Sequence, residues 1–159
     1  MRYYIITVIT LVSVGNSQPI NHFYFINPGA KVGYAFGENG GFTYGFELSY
    51  VRTGPTWIEG KYGVVLNVDR LNELIKYHIG VEYIGGAIMG GELGPSIIVR
   101  NGEIDYGIQA TPFLSIFLIP YYSHTIVFNG NDINEVGLFI KLPFQIEPKR
   151  KNVVFPIHE

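Results

Sequence analysis

Hydrophobic and polar residues alternate along most of the chain, and the segment 42–50 shows the pattern most clearly. Its even positions are aromatic or aliphatic and its odd positions are small or polar: Phe42, Tyr44, Phe46, Leu48 and Tyr50 against Thr43, Gly45, Glu47 and Ser49. A period of two is typical of a β-strand with one apolar and one polar face. The segment 135–144 repeats the pattern, so the chain is predicted to be rich in strands.

Turn signals divide this alternating region at short intervals. They lie at 38–41, 53–55, 69–72, 85–86, 101–102, around Pro112, and at 129–132. Asn-Gly and Gly-Gly pairs supply the positive φ that tight hairpins require. The predicted strands are 30–37, 42–52, 57–68, 74–84, 87–99, 103–111, 115–128 and 133–146. We therefore predict an all-β fold, an eight-stranded antiparallel up-and-down β-barrel, because closure removes the sheet edges.

Glycine shares the polar face of the predicted strands with Glu, Lys, Ser and Thr. Gly45 on the second strand and Gly137 on the last are examples. Glycine weakens a strand, and a solvated outer face gains nothing from it. The interior of a narrow closed barrel is crowded, however, and needs small residues between large polar ones. The polar face is therefore predicted to point inward and the apolar face toward a lipid bilayer.

The predicted barrel interior carries charges of both signs. An eight-stranded barrel is just wide enough to be filled by side chains, and buried charges must find partners there. We predict one polar network inside the barrel, formed by Lys31, Glu47, Glu59, Lys61, Lys76, His78, Glu82, Glu92, Asp105, Glu135 and Lys141.

A soluble lipocalin-like barrel is the main alternative, because it also has eight strands but turns its apolar face inward around a small ligand. About a dozen Tyr and Phe rings would then fill most of its cavity. Tyr50 and Trp57 flank one predicted turn, and Phe36 and Phe42 flank another. Aromatic residues near strand ends are typical of the interfacial girdles of membrane barrels, which favours the inside-out arrangement.

The two ends of the chain break the alternation. Residues 1–17 are predicted to be an export signal, because Arg2 precedes the apolar run 3–14 and small residues precede Gln18. A first β-strand is the alternative. The barrel domain is predicted over 18–146. The tail 147–159 contains a basic run and an apolar run, and is expected either to plug the barrel or lie against its rim, or to be a disordered extension.

Composition narrows the function classes. A chain of 159 residues is one domain, and a net charge of −2 gives no sign of a nucleic-acid partner. There is no Cys, so thiol chemistry and thiolate metal sites are excluded. No pair of His residues has metal-ligand spacing on a strand, and no cofactor motif is present. No metal site and no cofactor are therefore predicted, and His78 is interpreted as part of the interior network.

The pattern over 29–146 resembles small bacterial outer-membrane β-barrels of the OmpA, OmpX and OmpW type. The segment 135–144 is similar to the terminal insertion signal of such proteins, with a polar residue, a Gly and spaced apolar residues. The resemblance implies the outer membrane of a Gram-negative-type bacterium, contacts with the lipid bilayer and with the outer-membrane insertion machinery, and a monomer. It implies a structural, adhesion or envelope-integrity role.

Some small outer-membrane barrels act on lipid A, and the deacylase group resembles this chain at 122–125 and 131–144. That group uses a His and a Ser two residues apart on one strand face. Here Tyr122 and Ile126 are two residues from His124, and Ser123 faces the other way. The chain is therefore predicted to be non-enzymatic, with a soluble carrier and a lipid A-modifying enzyme as alternatives.

Overall fold

A computed structural model describes residues 23–38, 40–54, 60–85, 88–114 and 118–146. The predicted export signal 1–17 and the tail 147–159 lie outside these residues, as do Trp57 and Glu59. In the described part of the chain, no helix is long and apolar enough to cross a membrane.

The strands form one antiparallel sheet in which, from β1 to β8, each strand pairs with the next along the chain. β1 pairs with β2 on one side and with β8 on the other, so the sheet closes on itself. The prediction of an eight-stranded antiparallel up-and-down barrel is confirmed. The strands are β1 Phe23–Phe36, β2 Gly41–Thr53, β3 Lys61–Leu71, β4 Leu74–Gly85, β5 Met89–Arg100, β6 Glu103–Leu114, β7 Ile119–Val127, β8 Ile133–Lys141 and β9 Phe144–Ile146.

The short strand β9 continues β8 along the same side of β1 and does not form a ninth strand of the barrel wall. Lys141 at the end of β8 lies opposite Gly29, and Phe144 at the start of β9 lies opposite Ile26, so both keep one register against β1. The ladder is interrupted because Pro143 has no N–H to donate. In the gap between β8 and β9, the N–H of Leu142 donates a hydrogen bond to the carbonyl oxygen of Pro28, with 2.9 Å between nitrogen and oxygen.

The strands are tilted relative to the barrel axis. A path that starts at Tyr24 and passes from each residue to its cross-strand partner returns to β1 at Tyr34 after one circuit of the barrel. The sheet is therefore staggered where it closes. Such a stagger requires tilted strands. At about 3.3 Å per residue and a tilt of about 40°, the 12-residue strand β4 spans about 30 Å along the axis. This length matches the hydrocarbon thickness of a bilayer.

Several strand boundaries differ from the prediction. β6 continues to Leu114, so Pro112 lies within a strand and the predicted turn around it is wrong. β1 begins at Phe23 instead of residue 30, because Pro28 occupies a ladder position without breaking the strand. β3 continues to Leu71, so the predicted turn at 69–72 is wrong in its first residues. The connection is the two-residue pair Asn72–Glu73, in which Asn72 adopts a φ of 51°.

The two ends of the barrel differ. One end carries the connections β1–β2, β3–β4, β5–β6 and β7–β8, and we call it the capped end. The longest of these connections spans residues 128–132. Six buried apolar side chains fill the bore there: Ala35, Leu71, Leu74, Ile98, Val127 and Ile133. The opposite end, from which the described chain begins at Phe23 and ends at Ile146, is called the cavity end.

The outer surface of the barrel is apolar over its middle. Exposed aliphatic side chains cover the central part of the strands: Val32, Leu48, Val64, Leu66, Ile79, Val81, Leu93, Ile108, Leu138 and Ile140. Aromatic pairs flank this zone, with Tyr24–Tyr50 and Tyr62–Tyr83 toward the cavity end. Tyr34–Phe36 and Phe42–Tyr44 lie toward the capped end. The barrel is thus of the transmembrane type, and its faces are the reverse of those in a lipocalin.

Candidate functional site in the barrel interior

The charged residues predicted to lie inside the barrel fall into three groups. Seven are buried, each with 3% or less of its surface exposed: Lys31, Glu47, Lys76, His78, Glu82, Glu92 and Glu135. Three are partly buried: Lys61, Asp105 and Lys141. Lys141 belongs to the interior network, whereas Lys61 lies near the cavity end and Asp105 near the capped end. Glu59 lies outside the described residues.

Two lysines and two carboxylates form the first charge cluster, which we call the balanced cluster. Lys31 Nζ lies 2.7 Å from Asp69 Oδ2 and 3.9 Å from Glu135 Oε1. Lys76 Nζ lies 3.4 Å from Asp69 Oδ2 and 3.3 Å from Glu135 Oε2. Each cation therefore faces both anions. Since all four side chains are at most 3% exposed, the equal numbers of opposite charges offset one another's desolvation.

Tyr121 connects the balanced cluster to the barrel wall through a hydrogen bond. Its hydroxyl donates to Glu135 Oε1, which also accepts from Thr43 Oγ1 at 2.9 Å. The ring needs the space above the paired glycines Gly33 and Gly137. A Cβ at Gly33 would lie 2.7 Å from the tyrosine hydroxyl, and one at Gly137 would lie 2.6 Å from it. These close approaches account for glycine on the polar face of the two strands.

Three carboxylates and one lysine form the second charge cluster, which we call the acidic cluster. Lys141 Nζ contacts Glu47 Oε1, and lies 2.8 Å from Glu82 Oε1 and 3.6 Å from Glu92 Oε1. Asn67 Nδ2 donates to Glu92 Oε2 at 3.1 Å. The acidic cluster therefore has three carboxyl groups around a single ammonium group.

Three aromatic rings separate the two clusters. Phe139 stacks on Tyr121 with ring centroids 4.4 Å apart, and Phe113 meets Phe139 edge-on at 6.3 Å. Lys31 Nζ lies 5.4 Å from the centroid of Phe139, and Lys141 Nζ lies 5.0 Å from the same ring. Each ammonium thus gains a cation–π contact with a ring placed between them.

Sequence reasoning missed Asp69 and did not assign the seventh strand's faces. Asp69 was placed in a turn, although positions 63, 65, 67, 69 and 71 share one face of β3 and would have put it inside. On β7, Tyr121, Ser123, Thr125 and Val127 are the buried residues. Apolar residues occur on both sides of this strand, so periodicity alone gave no clear signal.

A polar group also lies on the outer face of β7 and β8, toward the capped end. Asn134 Oδ1 accepts from Tyr122 OH at 2.6 Å and lies 2.9 Å from His124 Nδ1. His124 Nε2 lies 3.9 Å from Asp132 Oδ2. Ser123 is fully buried inside the barrel, where its Oγ accepts from Thr111 Oγ1 at 3.2 Å. His124 and Ser123 therefore lie on opposite sides of the barrel wall and do not form a base–nucleophile pair.

A cavity of about 280 Å³ opens at the cavity end. Its walls include the apolar side chains of Phe25, Val51, Ile84, Phe113 and Ile119. Glu82 and Lys141 also line it, so it leads from the mouth of the barrel to the acidic cluster.

An apolar outer zone between aromatic girdles, enclosing a filled and charged interior, defines a small eight-stranded transmembrane-type β-barrel. No protein-family model matches the chain, and no curated protein matches it. Among solved structures, the neisserial surface protein A (NspA) crystal structure is similar to this chain at 12% sequence identity and a TM-score of 0.37. The match covers 75% of this chain and 97% of the NspA chain.

Proposed function

We propose that this protein is a non-enzymatic structural β-barrel of the outer membrane of a Gram-negative-type bacterium. The observation that carries the proposal is the combination of an apolar outer surface with an interior filled by ion pairs. An apolar belt of this height is stable only in lipid, since in water it would be an exposed patch far larger than soluble monomers tolerate. In lipid, a closed barrel has no free strand edge, so the backbone N–H and C=O groups of every strand find hydrogen-bond partners in the neighbouring strands.

The filled interior favours a role other than transport. The balanced cluster, the three aromatic rings and the apolar cap occupy successive levels of the bore. The connections at the capped end are short, two of them being the two-residue pairs Asn72–Glu73 and Asn101–Gly102. Short connections give little surface for a receptor, so a role in envelope integrity is favoured over adhesion. We further propose that the barrel is a monomer whose partners are the lipid bilayer and the outer-membrane insertion machinery.

The proposed location is tested by expressing the full chain in a Gram-negative host and separating its membranes on a density gradient. The protein is expected in the outer-membrane fraction, extractable only with detergent. On SDS gels it should migrate differently before and after boiling, because folded membrane barrels resist SDS. Recovery in the soluble fraction without detergent would exclude the membrane proposal.

The proposed lack of transport and of lipid chemistry needs separate assays. Purified barrel added to a planar bilayer should give no stable conductance above that of the detergent control. Mass spectra of lipid A from cells that express the chain should match those from cells that express His124→Ala. A steady conductance, or an acyl change that disappears with His124→Ala, would contradict the non-enzymatic, non-conducting proposal.

A further inference from the structure

We propose that the acidic cluster is a binding site for one divalent metal cation of the oxygen-preferring kind, such as Ca²⁺, Mg²⁺ or Mn²⁺. The inference goes beyond the structural role, and it concerns residues for which the sequence indicated no metal. Glu47, Glu82 and Glu92 come from β2, β4 and β5, and the closed barrel brings Glu47 to the other two, which pair across β4 and β5.

The geometry of the three carboxylates suits a cation. One oxygen from each of Glu47, Glu82 and Glu92 lies within 4.8 Å of the other two. Oxygens bound to one Ca²⁺ lie about 2.3–2.6 Å from the metal, so two of them can be nearly 5 Å apart. Glu82 and Glu92 are direct cross-strand partners, and Glu47 lies on β2, a strand that does not pair with β4 or β5.

The charge count is the second argument. The balanced cluster has two cations for two anions, whereas the acidic cluster has one ammonium for three carboxylates. Among the described residues, Lys141 makes all the ion pairs of the three carboxylates. With all three carboxyl groups ionised, the cluster would carry a buried excess of two negative charges, which is costly unless it is compensated. One divalent cation supplies the missing charge.

Most of the buried polar atoms without hydrogen-bond partners lie in or beside the acidic cluster, although Asp69 Oδ1 in the balanced cluster is also without one among the described residues. Asn67 is 1% exposed, and its amide contacts Glu92 through Nδ2, yet its Oδ1 has no hydrogen-bond partner among the described residues. The same holds for Glu47 Oε2 and Glu82 Oε2, on carboxylates whose Oε1 atoms contact Lys141. These three oxygens are suitable ligands, since a carboxylate or an amide carbonyl is what a hard cation binds.

His78 adds an unpartnered nitrogen near the cluster. It is 2% exposed, and its Nδ1 lies 3.1 Å from the carbonyl of Pro95. Its Nε2 lacks a hydrogen-bond partner in the described part of the chain. A Cβ at Gly80 would lie 2.6 Å from that nitrogen, so the imidazole leans over Gly80 toward Glu82 on the same strand face. Among the described residues, His78 Nε2 is therefore a further unpartnered polar atom in this part of the bore.

A route to the site is present. The cavity of about 280 Å³ is lined by Glu82 and Lys141, and it opens at the cavity end. A hydrated cation entering there passes Lys61 and then meets Glu82 and Lys141, so the single carboxylate of the entrance lies between two lysines. The balanced cluster, on the far side of the aromatic rings, has no charge deficit and serves as the internal comparison.

The experiment uses the full chain refolded in detergent, stripped with EDTA and then titrated with Mn²⁺, Ca²⁺ or Mg²⁺ at constant ionic strength. Mn²⁺ binding is measured by electron paramagnetic resonance, and stability by urea unfolding. We expect one saturable Mn²⁺ site. At a free cation concentration 100 times Kd, the ratio of folded to unfolded protein should rise about 100-fold.

Glu92→Gln is the test variant, because it keeps the size of the side chain and one acceptor oxygen for Asn67 Nδ2 while removing one buried charge. It is expected to fold and to weaken binding at least 10-fold. The matched control is Glu135→Gln, which removes a buried carboxylate from the balanced cluster and should leave Mn²⁺ affinity unchanged in the folded fraction.

Three results would overturn the proposal: no saturable site, equal affinity in Glu92→Gln and the unmutated protein, or a loss of affinity in Glu135→Gln as large as in Glu92→Gln. The first would mean that protons neutralise the excess carboxylates. The second would place the metal on exposed acids of the turns. Should Glu92→Gln not fold, Glu47→Gln provides the same comparison.

Discussion

Replacing Lys31 with methionine tests whether the balanced cluster stabilises the barrel. Methionine retains the apolar length of the side chain but removes the ammonium that lies 2.7 Å from Asp69. Asp69 and Glu135 would then share only Lys76, at 3.4 Å and 3.3 Å. Loss of one partner from a buried ion pair costs about 3–5 kcal/mol. Because Lys76 still faces both anions, we expect the lower end, about 3 kcal/mol.

The double variant Lys31→Met with Asp69→Asn removes one charge of each sign. Lys76 and Glu135 would remain as a matched pair, so no buried charge would lack a partner. We expect the double variant to recover most of the loss and to lie within about 1 kcal/mol of the unmutated protein, since matched removal of a buried pair is often near neutral. The coupling between the two positions should therefore exceed about 2 kcal/mol.

Stability is measured by urea unfolding of the refolded barrel in detergent with EDTA present, which keeps any metal effect out of the comparison. Circular dichroism and the SDS gel shift should report the same transition midpoint. Arg70→Met, at an exposed position beside the β3–β4 connection, serves as the control and should change stability by less than about 1 kcal/mol. Equal losses in the single and double variants would show that the ion pair does not carry the effect.

Two further substitutions test the interior packing and the orientation of the barrel. Gly33→Ala should cost about 1–3 kcal/mol, because its Cβ would lie 2.7 Å from the hydroxyl of Tyr121; Gly91→Ala, whose Cβ would have 3.6 Å to its nearest neighbour, should be nearly neutral in the same urea assay. Val81→Arg, in the middle of β4, should cost about 2–4 kcal/mol in lipid vesicles, and Ile104→Arg beside a turn only about 0–1 kcal/mol. Both side chains are about equally exposed, 61% and 59%, so equal costs would argue against a bilayer around this surface.

The strand order and the direction of the faces followed from the sequence because both depend on local pattern. Alternation fixes which residues share a face, and Asn101–Gly102 adopts the positive φ values expected of a tight hairpin, 50° and 86°. Glycine on the polar face indicated a crowded interior, and Tyr121 above Gly33 and Gly137 is the physical reason in one region.

The arrangement of charges within the bore did not follow from the sequence. Glu82 and Glu92 pair across the β4–β5 hairpin, but Glu47 lies on β2, and its contact with them depends on how the eight strands close. A shift of two residues in one strand pair would keep every face and yet separate them. The aromatic ring of Phe139 lies on the same face as charged residues, so its position between Lys31 and Lys141 also depends on closure.

The cap of six aliphatic residues closes the bore at one end, so the barrel interior is not an open channel. The cavity opens beside Phe25 and Ile84. Beyond the aromatic rings and the balanced cluster, the buried apolar side chains of the capped end close the bore. In the described part of the chain, the apolar cap closes the other end, so whatever enters the cavity leaves by the same opening. In the proposed membrane orientation, the carboxylates of the acidic cluster would therefore face a single compartment, and a cation bound there would sample the conditions on that side of the membrane alone.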